Sequence, residues 1–438
     1  MKRRCSMFYE NPWTGWNGDA VATLDDWVRY GDELRRPLCV ADDLGRSTTV
    51  CVVGAGLSGL TVAYRIASKR PDIKVELIEK TDQCGGVIET WTQGEWVCDV
   101  AVNATRAHPA FWRLVDDLGL GERFAASNPE ASSRWISNGG RQRKLSPWLV
   151  LTSGPFKLWR GLRNGRLGRR SVAEVMPLPP INDAMTLGIV NDLAAHVDAD
   201  FLMPSMTRFG PEPPVKWKAV KKDMTATYPL FTPGKGATAS FEGGMDTLIA
   251  GLVSQLEAME NVSILLEAGS LSPREVAAAR NVPLSAVVWC APLRRPPGDF
   301  TELNVYAVGY TSQQVATVPV GYGTLIPDLS SPVSGILHES DVHGTSRAPT
   351  GHRLFRIMAP TSRGEDHDAV RAALRHLLCD AEPVLFEHIG MRKIPSYPPG
   401  YMASLTGVSN EFTQAGWCFS GVSVTHVVAE AERIADRF

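Results

Sequence analysis

The sequence predicts an α/β fold organised around a strand, a glycine-rich turn, a helix and a second strand within residues 48–90. Residues 49–53 form an apolar run rich in β-branched side chains, which is typical of a strand buried on both faces. The turn Gly54–Gly59 follows at once, and apolar residues then recur at helical spacing over residues 60–69. A second apolar run at 75–78 predicts the next strand of a parallel sheet.

Each part of this unit suits one chemical group of a bound dinucleotide. Gly54 allows the tight turn, Gly56 lets a pyrophosphate approach the backbone, and Gly59 lets the helix pack close to the strand. The N–H groups and dipole of the helix N-terminus favour an anion. Glu79 lies about 20 residues past the glycines, where a carboxylate accepts ribose hydroxyls. We therefore predict a Rossmann-like unit that binds FAD or NAD rather than NADP. The alternative is a glycine-rich turn without a ligand.

Composition limits the class of protein. The 438 residues are enough for two or more domains, and 44% apolar with 21% charged residues is ordinary globular composition. The net charge of −2 implies no nucleic-acid partner. The 8 cysteines form no CxxC pair and no cysteine–histidine cluster, so we predict no metal site, no disulfide framework and a reducing compartment.

Two segments bear on where the protein is located in the cell. The basic start Met1–Arg4 is not followed by an apolar stretch, and nowhere does the chain have the roughly 18 apolar residues that a membrane span needs, so we expect a cytoplasmic protein. Residues 141–170 carry nine basic residues and no acidic one, with Trp148 and Trp159 interleaved. Such a segment can lie peripherally on an anionic membrane. It can equally be a solvated helical face or a groove for an acidic ligand.

The remaining patterns predict how the chain is divided. We expect a strand at 91–97, a helix at 109–118, a helix at 184–197 and a helix at 366–378. The predicted domains are an N-terminal arm at 1–46, a dinucleotide-binding domain in three parts at 47–125, 238–300 and 401–438, a helical or substrate subdomain at 126–237, and a substrate domain at 301–400.

Four separated blocks are similar to a single family. They are the dinucleotide unit with Gly85-Gly86, the segment Phe241–Met245, the pair of segments Gly321–Pro327 and Ile394–Tyr397, and Ala415-Gly416 followed by Gly421–Val424. With these blocks the sequence resembles the protoporphyrinogen oxidase branch of the flavin amine-oxidase superfamily. The resemblance implies a Rossmann-like FAD-binding domain of the glutathione-reductase type, an inserted mixed-sheet substrate domain and a helical subdomain. The terminal block favours FAD over NAD, because a simple NAD fold does not return to its nucleotide site at the C-terminus.

The resemblance also implies roles for individual residues. No side chain is predicted to be catalytic, because the flavin N5 accepts a hydride from a carbon next to nitrogen and dioxygen or a quinone reoxidises the ring. The cofactor-binding residues would be Gly54, Gly56, Leu57, Ser58, Gly59, Glu79, Lys80, Gly85, Gly86, Ala268, Gly416, Val422, Ser423 and Val424. The substrate-binding residues would be Asn103, Phe209, Tyr322, Leu325, Ile357 and Met358, although ordinary core packing is the alternative for the apolar ones.

Departures from the family pattern leave the substrate open. Ala359-Pro360 stands where the members with the fullest pattern have two glycines, and Asn103 stands where some members have an arginine proposed to pair with a porphyrin propionate. The glycine-rich substrate loop is reduced to about Arg208–Gly210. The first hypothesis is an oxidase that converts a porphyrinogen to a porphyrin. The alternatives are a repurposed flavin amine oxidase or desaturase acting on a non-porphyrin substrate in a specialised pathway, and a flavin-binding partner protein without activity.

Overall fold

The computed structural model of the chain describes residues 35–106, 108–146, 154–209, 238–269, 272–292 and 300–438. The strands in these ranges are β1 (Thr49–Val53), β2 (Lys74–Ile78), β3 (Thr90–Gln93), β4 (Trp96–Asp99), β5 (Thr105–Arg106), β6 (Phe124–Ala126), β7 (Arg134–Asn138), β8 (Arg141–Lys144), β9 (Thr238–Phe241), β10 (Val262–Leu265), β11 (Val287–Trp289), β12 (Phe300–Thr311), β13 (Gly323–Leu325), β14 (Gly335–Leu337), β15 (His352–Pro360), β16 (Leu385–Pro395) and β17 (Thr413–Gln414). The α-helices are α1 (Leu57–Lys69), α2 (Pro109–Asp117), α3 (Pro155–Asn164), α4 (Val172–Val175), α5 (Ile181–Val190), α6 (Ala199–Leu202), α7 (Asp246–Glu257), α8 (Pro273–Arg280), α9 (Glu339–Val342), α10 (His367–Leu377), α11 (Tyr401–Ser404), α12 (Trp417–Ser420) and α13 (Val424–Ala435).

A five-stranded parallel sheet contains the dinucleotide unit. Its strand order is β10-β2-β1-β11-β17, so the early strands lie between strands that come much later in the chain. Helices α1, α2, α7 and α13 share one apolar core with this sheet, which explains why their inward residues are aliphatic and aromatic. Because all five strands are parallel, their carboxyl ends meet at one edge, where open α/β sheets bind ligands.

A second, mixed sheet has seven strands in the order β16-β12-β15-β14-β13-β7-β8. Paired residues share a face, as do residues two apart along a strand. On one face, Tyr306, Phe355 and Ile357 pack against Val370 and Leu374 of α10, and we call this the outer face. The opposite face, which we call the inner face, carries Leu303, Val305, Arg356, Met358, Gly390 and Arg392.

The hairpin β3–β4 joins the inner face to the rest of the molecule. Our prediction of one strand over residues 91–97 is wrong, because the chain reverses at Gly94, which has a φ of 60°, and Trp91 pairs with Cys98. Trp91 and Trp96 pack against inner-face residues that include Val305 and Leu385. The hairpin therefore covers part of the inner face instead of extending a sheet.

Helices α4 to α6 form a separate layer with its own apolar core, in which Phe201 and Tyr397 stack with ring centroids 4.3 Å apart, and α3 lies against α4 at Gly161. The predicted helix at 184–197 is wrong at its C-terminal end, because α5 stops at Asn191, whose φ of 54° is left-handed. Asparagine adopts this conformation more readily than other non-glycine residues and so ends helices. The helices predicted at 109–118 and 366–378 are confirmed as α2 and α10.

The described part of the N-terminal arm packs against the C-terminal region. Cys39 forms an antiparallel bridge with Gln414, and Leu44 is buried in the core of the parallel sheet. The arm also has aromatic residues at positions 8–16 and a helix-like pattern at 22–35, and all of these residues except Arg35 lie outside the described ones. Of the helices in the described ranges, none has both the length and the apolar character needed to cross a membrane.

Candidate dinucleotide and substrate site

The first glycine turn lies directly against the start of α1. A Cβ atom at residue 59 would overlap the carbonyl oxygen of Gly54, so only glycine lets the helix begin so close to the turn. No side chain caps α1 at Gly56, and the first helical N–H to donate within the helix is that of Leu60, to the Gly56 oxygen at 3.0 Å. The N–H groups of the first turn therefore point at the edge of the sheet, where they suit a phosphate.

The second glycine pair contacts the first turn. Gly56 and Gly85 form a parallel bridge, and the Gly85 N–H donates to the Ala55 oxygen at 2.8 Å. A Cβ atom on Gly86 would lie 2.9 Å from the Cα of Gly56. The two glycine segments thus form one continuous backbone surface without intervening side chains.

Glu79 holds this surface in place from the end of β2. Its Oε2 accepts from the Ala55 N–H at 2.7 Å, and its Oε1 accepts from the Thr81 N–H at 3.1 Å and the Thr81 hydroxyl at 2.9 Å. A carboxylate has about four acceptor positions, so this pattern leaves capacity for a ribose hydroxyl. Beside it, the Ala268 N–H donates to the Glu79 carbonyl at 2.9 Å, while the side chain of Lys80 is exposed.

The terminal segment reaches the same edge. A Cβ atom on Gly416 would lie 3.7 Å from Ser58 Oγ and 3.5 Å from the Cys290 carbonyl oxygen. The Gly416 N–H donates to Oε2 of Glu430 in α13 at 2.6 Å, and burial raises the pKa of Glu430 to about 8. Val422 and Ser423 lead into α13, whose first residue Val424 is buried in the same core as α1.

The predicted glycines, Glu79 and Ala268 therefore converge on one edge of the parallel sheet, whereas Val422 packs against the core of the helical layer. Strands β1, β2, β10, β11 and β17 all end there, and the residues following each of them are in contact through backbone hydrogen bonds or close glycine approaches. The edge presents backbone N–H groups and one carboxylate, with small side chains between them. This donor set fits the pyrophosphate and ribose of a dinucleotide.

The predicted substrate residues do not all lie together. Leu325 and Met358 both lie on the inner face, because each is paired with Gly335 on the strand between them. The Met358 Cε lies 2.6 Å from the position that a Cβ atom on Gly335 would take. Ile357 points to the outer face and is fully buried against α10, so it shares no cavity with Met358.

Three other predicted substrate residues have different surroundings. The Tyr322 ring lies under the Arg134 guanidinium at 3.9 Å, and Phe209 packs against the core of the helical layer. Asn103 follows β4, and its buried Nδ2 has no hydrogen-bond partner among the described residues. The chain just before Asn103 is held against the inner face, because Arg356 Nη1 donates to the Asp99 carbonyl at 2.6 Å and the Ala101 carbonyl at 3.4 Å.

A buried charge network under the inner face was not predicted from the sequence. Asp99 pairs with Arg347 at 3.2 Å, Arg356 pairs with Glu339 at 3.2 Å, and Glu339 contacts His343 Nε2 at 2.7 Å. Burial acts to raise the pKa of Glu339, but Arg356 and His343 outweigh it, and the pKa is lowered. The sequence signal that could have revealed this network is Arg356 within the apolar run of β15, because a charge in a buried strand needs a buried partner.

Among the described residues, no group of three or more His, Cys, Asp or Glu side chains is arranged to hold a metal ion.

Comparisons with known proteins are consistent with this geometry. The family model described as an NAD(P)-binding Rossmann-like domain matches residues 52–118. The chain is 25% identical over 479 residues to protoporphyrinogen oxidase 2, chloroplastic/mitochondrial, of Arabidopsis thaliana, covering 88% of this chain and 93% of the relative. It is 37% identical over 83 residues to coproporphyrinogen III oxidase of Mycobacterium leprae, covering 18% of each.

Solved structures share the fold. A candidate protoporphyrinogen oxidase from Exiguobacterium sp. 255-15 superposes with a TM-score of 0.62 at 16% identity, covering 89% of this chain and 98% of that one. Reduced UDP-galactopyranose mutase gives a TM-score of 0.62 at 13% identity, with 89% and 93% covered. These comparisons confirm the predicted Rossmann-like fold class and the predicted resemblance: over most of its length the chain is similar to a protoporphyrinogen oxidase.

Proposed function

We propose that the chain is an FAD-dependent oxidase that removes hydride from a carbon next to nitrogen and converts a porphyrinogen to a porphyrin. One observation carries the cofactor assignment: Gly416, near the C-terminus, lies beside Ser58 of the first glycine turn. The family model that matches residues 52–118 names NAD(P), and the early unit alone is compatible with either dinucleotide. The return of the terminal segment to this edge favours FAD, whose ring end needs a second chain segment.

The residues that would hold FAD follow from the geometry of the edge. The N-terminus of α1, with Gly54, Gly56 and Gly59 before and within it, would bind the pyrophosphate. Glu79 would accept the ribose hydroxyls, with Ala268 and Lys80 beside the adenosine end. Gly416 and the segment Val422–Val424 would lie against the ring.

The bound flavin would supply the redox chemistry by accepting a hydride. The protein would hold the substrate and exclude water, which requires an apolar cavity with a few polar anchors. Leu325 and Met358 of the inner face are apolar and adjacent, and Asn103 offers an amide donor that has no partner among the described residues. We assign no protein acid or base to the reaction.

The purified protein provides the test. We expect flavin absorption bands in the purified protein, and porphyrin fluorescence that grows when it is incubated with protoporphyrinogen IX or coproporphyrinogen III. The control is the same protein freed of flavin. Flavin-containing protein that oxidises a non-porphyrin amine but neither porphyrinogen would replace the porphyrinogen assignment with the repurposed oxidase. Bound flavin that no candidate substrate reduces would favour the non-enzymatic alternative.

We also propose that α3 rests on an anionic membrane surface. Phe156, Trp159 and Leu162 recur every third residue along the helix and are 87%, 65% and 53% exposed. The opposite side is fixed to α4, because a Cβ atom on Gly161 would overlap the Val175 carbonyl oxygen. With Arg160 and Arg163 on the same helix, the outward side combines apolar and basic groups, as membrane-surface helices do.

Vesicle sedimentation tests this surface. We expect the protein to sediment with vesicles that contain phosphatidylglycerol more than with pure phosphatidylcholine, because Arg160 and Arg163 attract anionic headgroups. Trp159→Ser should reduce the bound fraction, whereas Leu329→Ser, at another exposed apolar residue, should not. Equal binding by Trp159→Ser and the unaltered protein would contradict the proposal.

A further inference from the structure

An arginine that the proposed function does not use projects from the inner face. Arg392 lies on β16 and pairs with Leu303 of β12, while the next pair on the same face is Val305 with Gly390. Val305 also pairs with Met358 on β15. Arg392 is therefore one pair away from the row of residues that contains Met358 and, through Gly335, Leu325.

Among the described residues, the charge of Arg392 has no compensating carboxylate. The neighbouring inner-face cation, Arg356, pairs with Glu339, and Arg347 pairs with Asp99. Among the described residues, no carboxylate forms an ion pair with Arg392, and its guanidinium makes no hydrogen bond. Burial, and then the nearby Arg356, lower the pKa of Arg392 to about 9. A partly desolvated cation beside a second cation is unfavourable until an anion joins it.

The guanidinium nevertheless stays accessible. The Arg392 side chain is only partly buried, and none of its nitrogen atoms is sealed from solvent, in contrast to Nε of Arg347 and of Arg356. The guanidinium therefore keeps partial contact with solvent.

The position of the Arg392 side chain follows from the strand. A Cβ atom on Gly390 would lie 3.0 Å from Cγ1 of Val100, so β16 touches the segment after β4 at that point. Arg392 lies two residues further along, about 7 Å away at the usual rise per residue, on the same face. The Val100 segment continues to Asn103, which is uncharged. Among the described residues on this part of the inner face, Arg392 is thus the cation that lacks a carboxylate partner.

We propose that Arg392 binds a carboxylate of the substrate and so makes the enzyme selective for carboxylate-bearing substrates. This inference rests on the proposed function, because it places the substrate over the inner face. A guanidinium binds a carboxylate through two parallel N–H···O hydrogen bonds, which fixes orientation as well as charge. Arg392 would be a substrate-binding residue that holds the carboxylate end while another part of the substrate meets the flavin.

Four forms of the flavin-loaded protein test this assignment: the unaltered chain, Arg392→Met, Arg392→Lys and Lys393→Met. Lys393 is the matched control, because it is next to Arg392 but pairs with Glu302 at 2.9 Å on the outer face. Titration with coproporphyrin III, followed by quenching of its fluorescence, gives the dissociation constants. We expect Arg392→Met to weaken binding about 10- to 100-fold, in line with loss of a charge-assisted pair. Arg392→Lys should recover part of the affinity, and Lys393→Met should match the unaltered protein.

A neutral ligand separates charge from packing. Coproporphyrin tetramethyl ester should bind the unaltered protein and Arg392→Met equally, because it lacks carboxylates. Equal loss of affinity for the ester and the free acid would show that the substitution damages the cavity, and would overturn the proposal.

A second pair of ligands tests the carboxylate site independently of whether porphyrinogens are substrates. Benzoate and benzamide can be titrated into the same proteins while the flavin absorption spectrum is recorded. If the unaltered protein binds benzoate but not benzamide, and Arg392→Met binds neither, the carboxylate site stands even where porphyrinogens are not oxidised. If porphyrinogen is oxidised with the same KM by Arg392→Met and the unaltered protein, the function stands and the carboxylate site is overturned.

Discussion

The dinucleotide edge and the inner face of the mixed sheet are built in opposite ways. The edge is made of backbone: glycine turns, the N–H groups of α1 and a single carboxylate, Glu79, that the turns themselves hold. Under the inner face, two buried arginines are neutralised by carboxylates of other elements, Arg347 by Asp99 and Arg356 by Glu339. A site made of backbone is encoded by a short stretch of sequence, whereas a site made of buried charges depends on partners brought together by the whole fold.

The two regions meet at Asp99. Its Oδ1 accepts from the Met245 N–H at 2.8 Å and from the Thr90 hydroxyl at 2.7 Å, and its Oδ2 faces Arg347 at 3.2 Å. The turn before α7 fits here because Gly244 has a φ of 96° and a Cβ atom there would overlap the Thr90 side chain. Asp99 therefore ties the hairpin that covers the inner face to a helix that packs on the parallel sheet.

The largest expected effect comes from a substitution that disrupts the dinucleotide edge. Gly59→Ala places a Cβ atom on the Gly54 carbonyl, so α1 must move away from the turn. We expect a loss of roughly 5 kcal/mol in the free energy of unfolding and no retained flavin. Urea unfolding and flavin absorption measure both. Gly121→Ala is the control, since its Cβ position is open, and equal behaviour of the two variants would refute the role of the close approach.

The next largest effect is expected from a substitution that disrupts the buried charge network under the inner face. Asp99→Asn keeps an acceptor for the Met245 N–H but leaves Arg347 buried without its counter-charge. We expect a loss of about 3 to 5 kcal/mol in the free energy of unfolding. The double variant Asp99→Asn/Arg347→Met removes both charges and should recover part of that loss. A double variant no more stable than Asp99→Asn would show that the two charges are not coupled.

The third prediction concerns Glu430, a titratable group that is buried at the edge. Burial raises the pKa of Glu430 from 4.5 to about 8, so the folded state holds a proton that the unfolded state releases. Stability from this group is complete below pH 4.5 and falls as the pH rises towards 8. Glu430→Gln keeps an acceptor for Gly416 and removes the titration. We expect the variant to be more stable than the unaltered protein at pH 8, on the order of 4 kcal/mol, and nearly equal at pH 4.5.

Urea unfolding at both pH values gives the comparison. A Glu430→Gln variant that is less stable than the unaltered protein at pH 8 would contradict a neutral Glu430 in the folded chain.

The smallest effect separates the two faces of the mixed sheet. Met358→Ala removes inner-face surface and should raise KM for the porphyrinogen about 5-fold, because apolar contact with the substrate is lost. Ile357→Val removes one methylene group from the outer-face core and should cost about 1 kcal/mol of stability without changing KM. Steady-state kinetics and urea unfolding of both variants measure this contrast, and equal KM values would place Met358 outside the substrate cavity.

The sequence predicts the edge well because its signals are local. The strand β1, the glycine turn and α1 are contiguous, and their patterns depend on backbone geometry that adjacent residues determine. The end of α5 was predicted too late because apolar periodicity continues past Asn191, while a single left-handed residue stops the helix. Periodicity reports which side of an element is apolar but not where one residue leaves the helical conformation.

The inner face was predicted less well for a different reason. Alternation along β15 shows that Ile357 and Met358 point to opposite sides, yet both sides are apolar, and only the packing of α10 identifies the outer one. Arg392 lies in a strand where charged and apolar residues mix, so its sequence neighbours do not distinguish a cavity arginine from a surface one. The partners of Arg347 and Arg356 are distant in sequence or on another element, and no local pattern pairs them.

Hydrogen–deuterium exchange with and without FAD tests most directly whether the early turn and the terminal segment hold one cofactor. We predict that adding FAD slows amide exchange in residues 54–60 and, to a similar degree, in residues 415–424. Slower exchange in the early turn alone would describe a simple dinucleotide-binding domain, and no change in either segment would contradict the assignment of FAD.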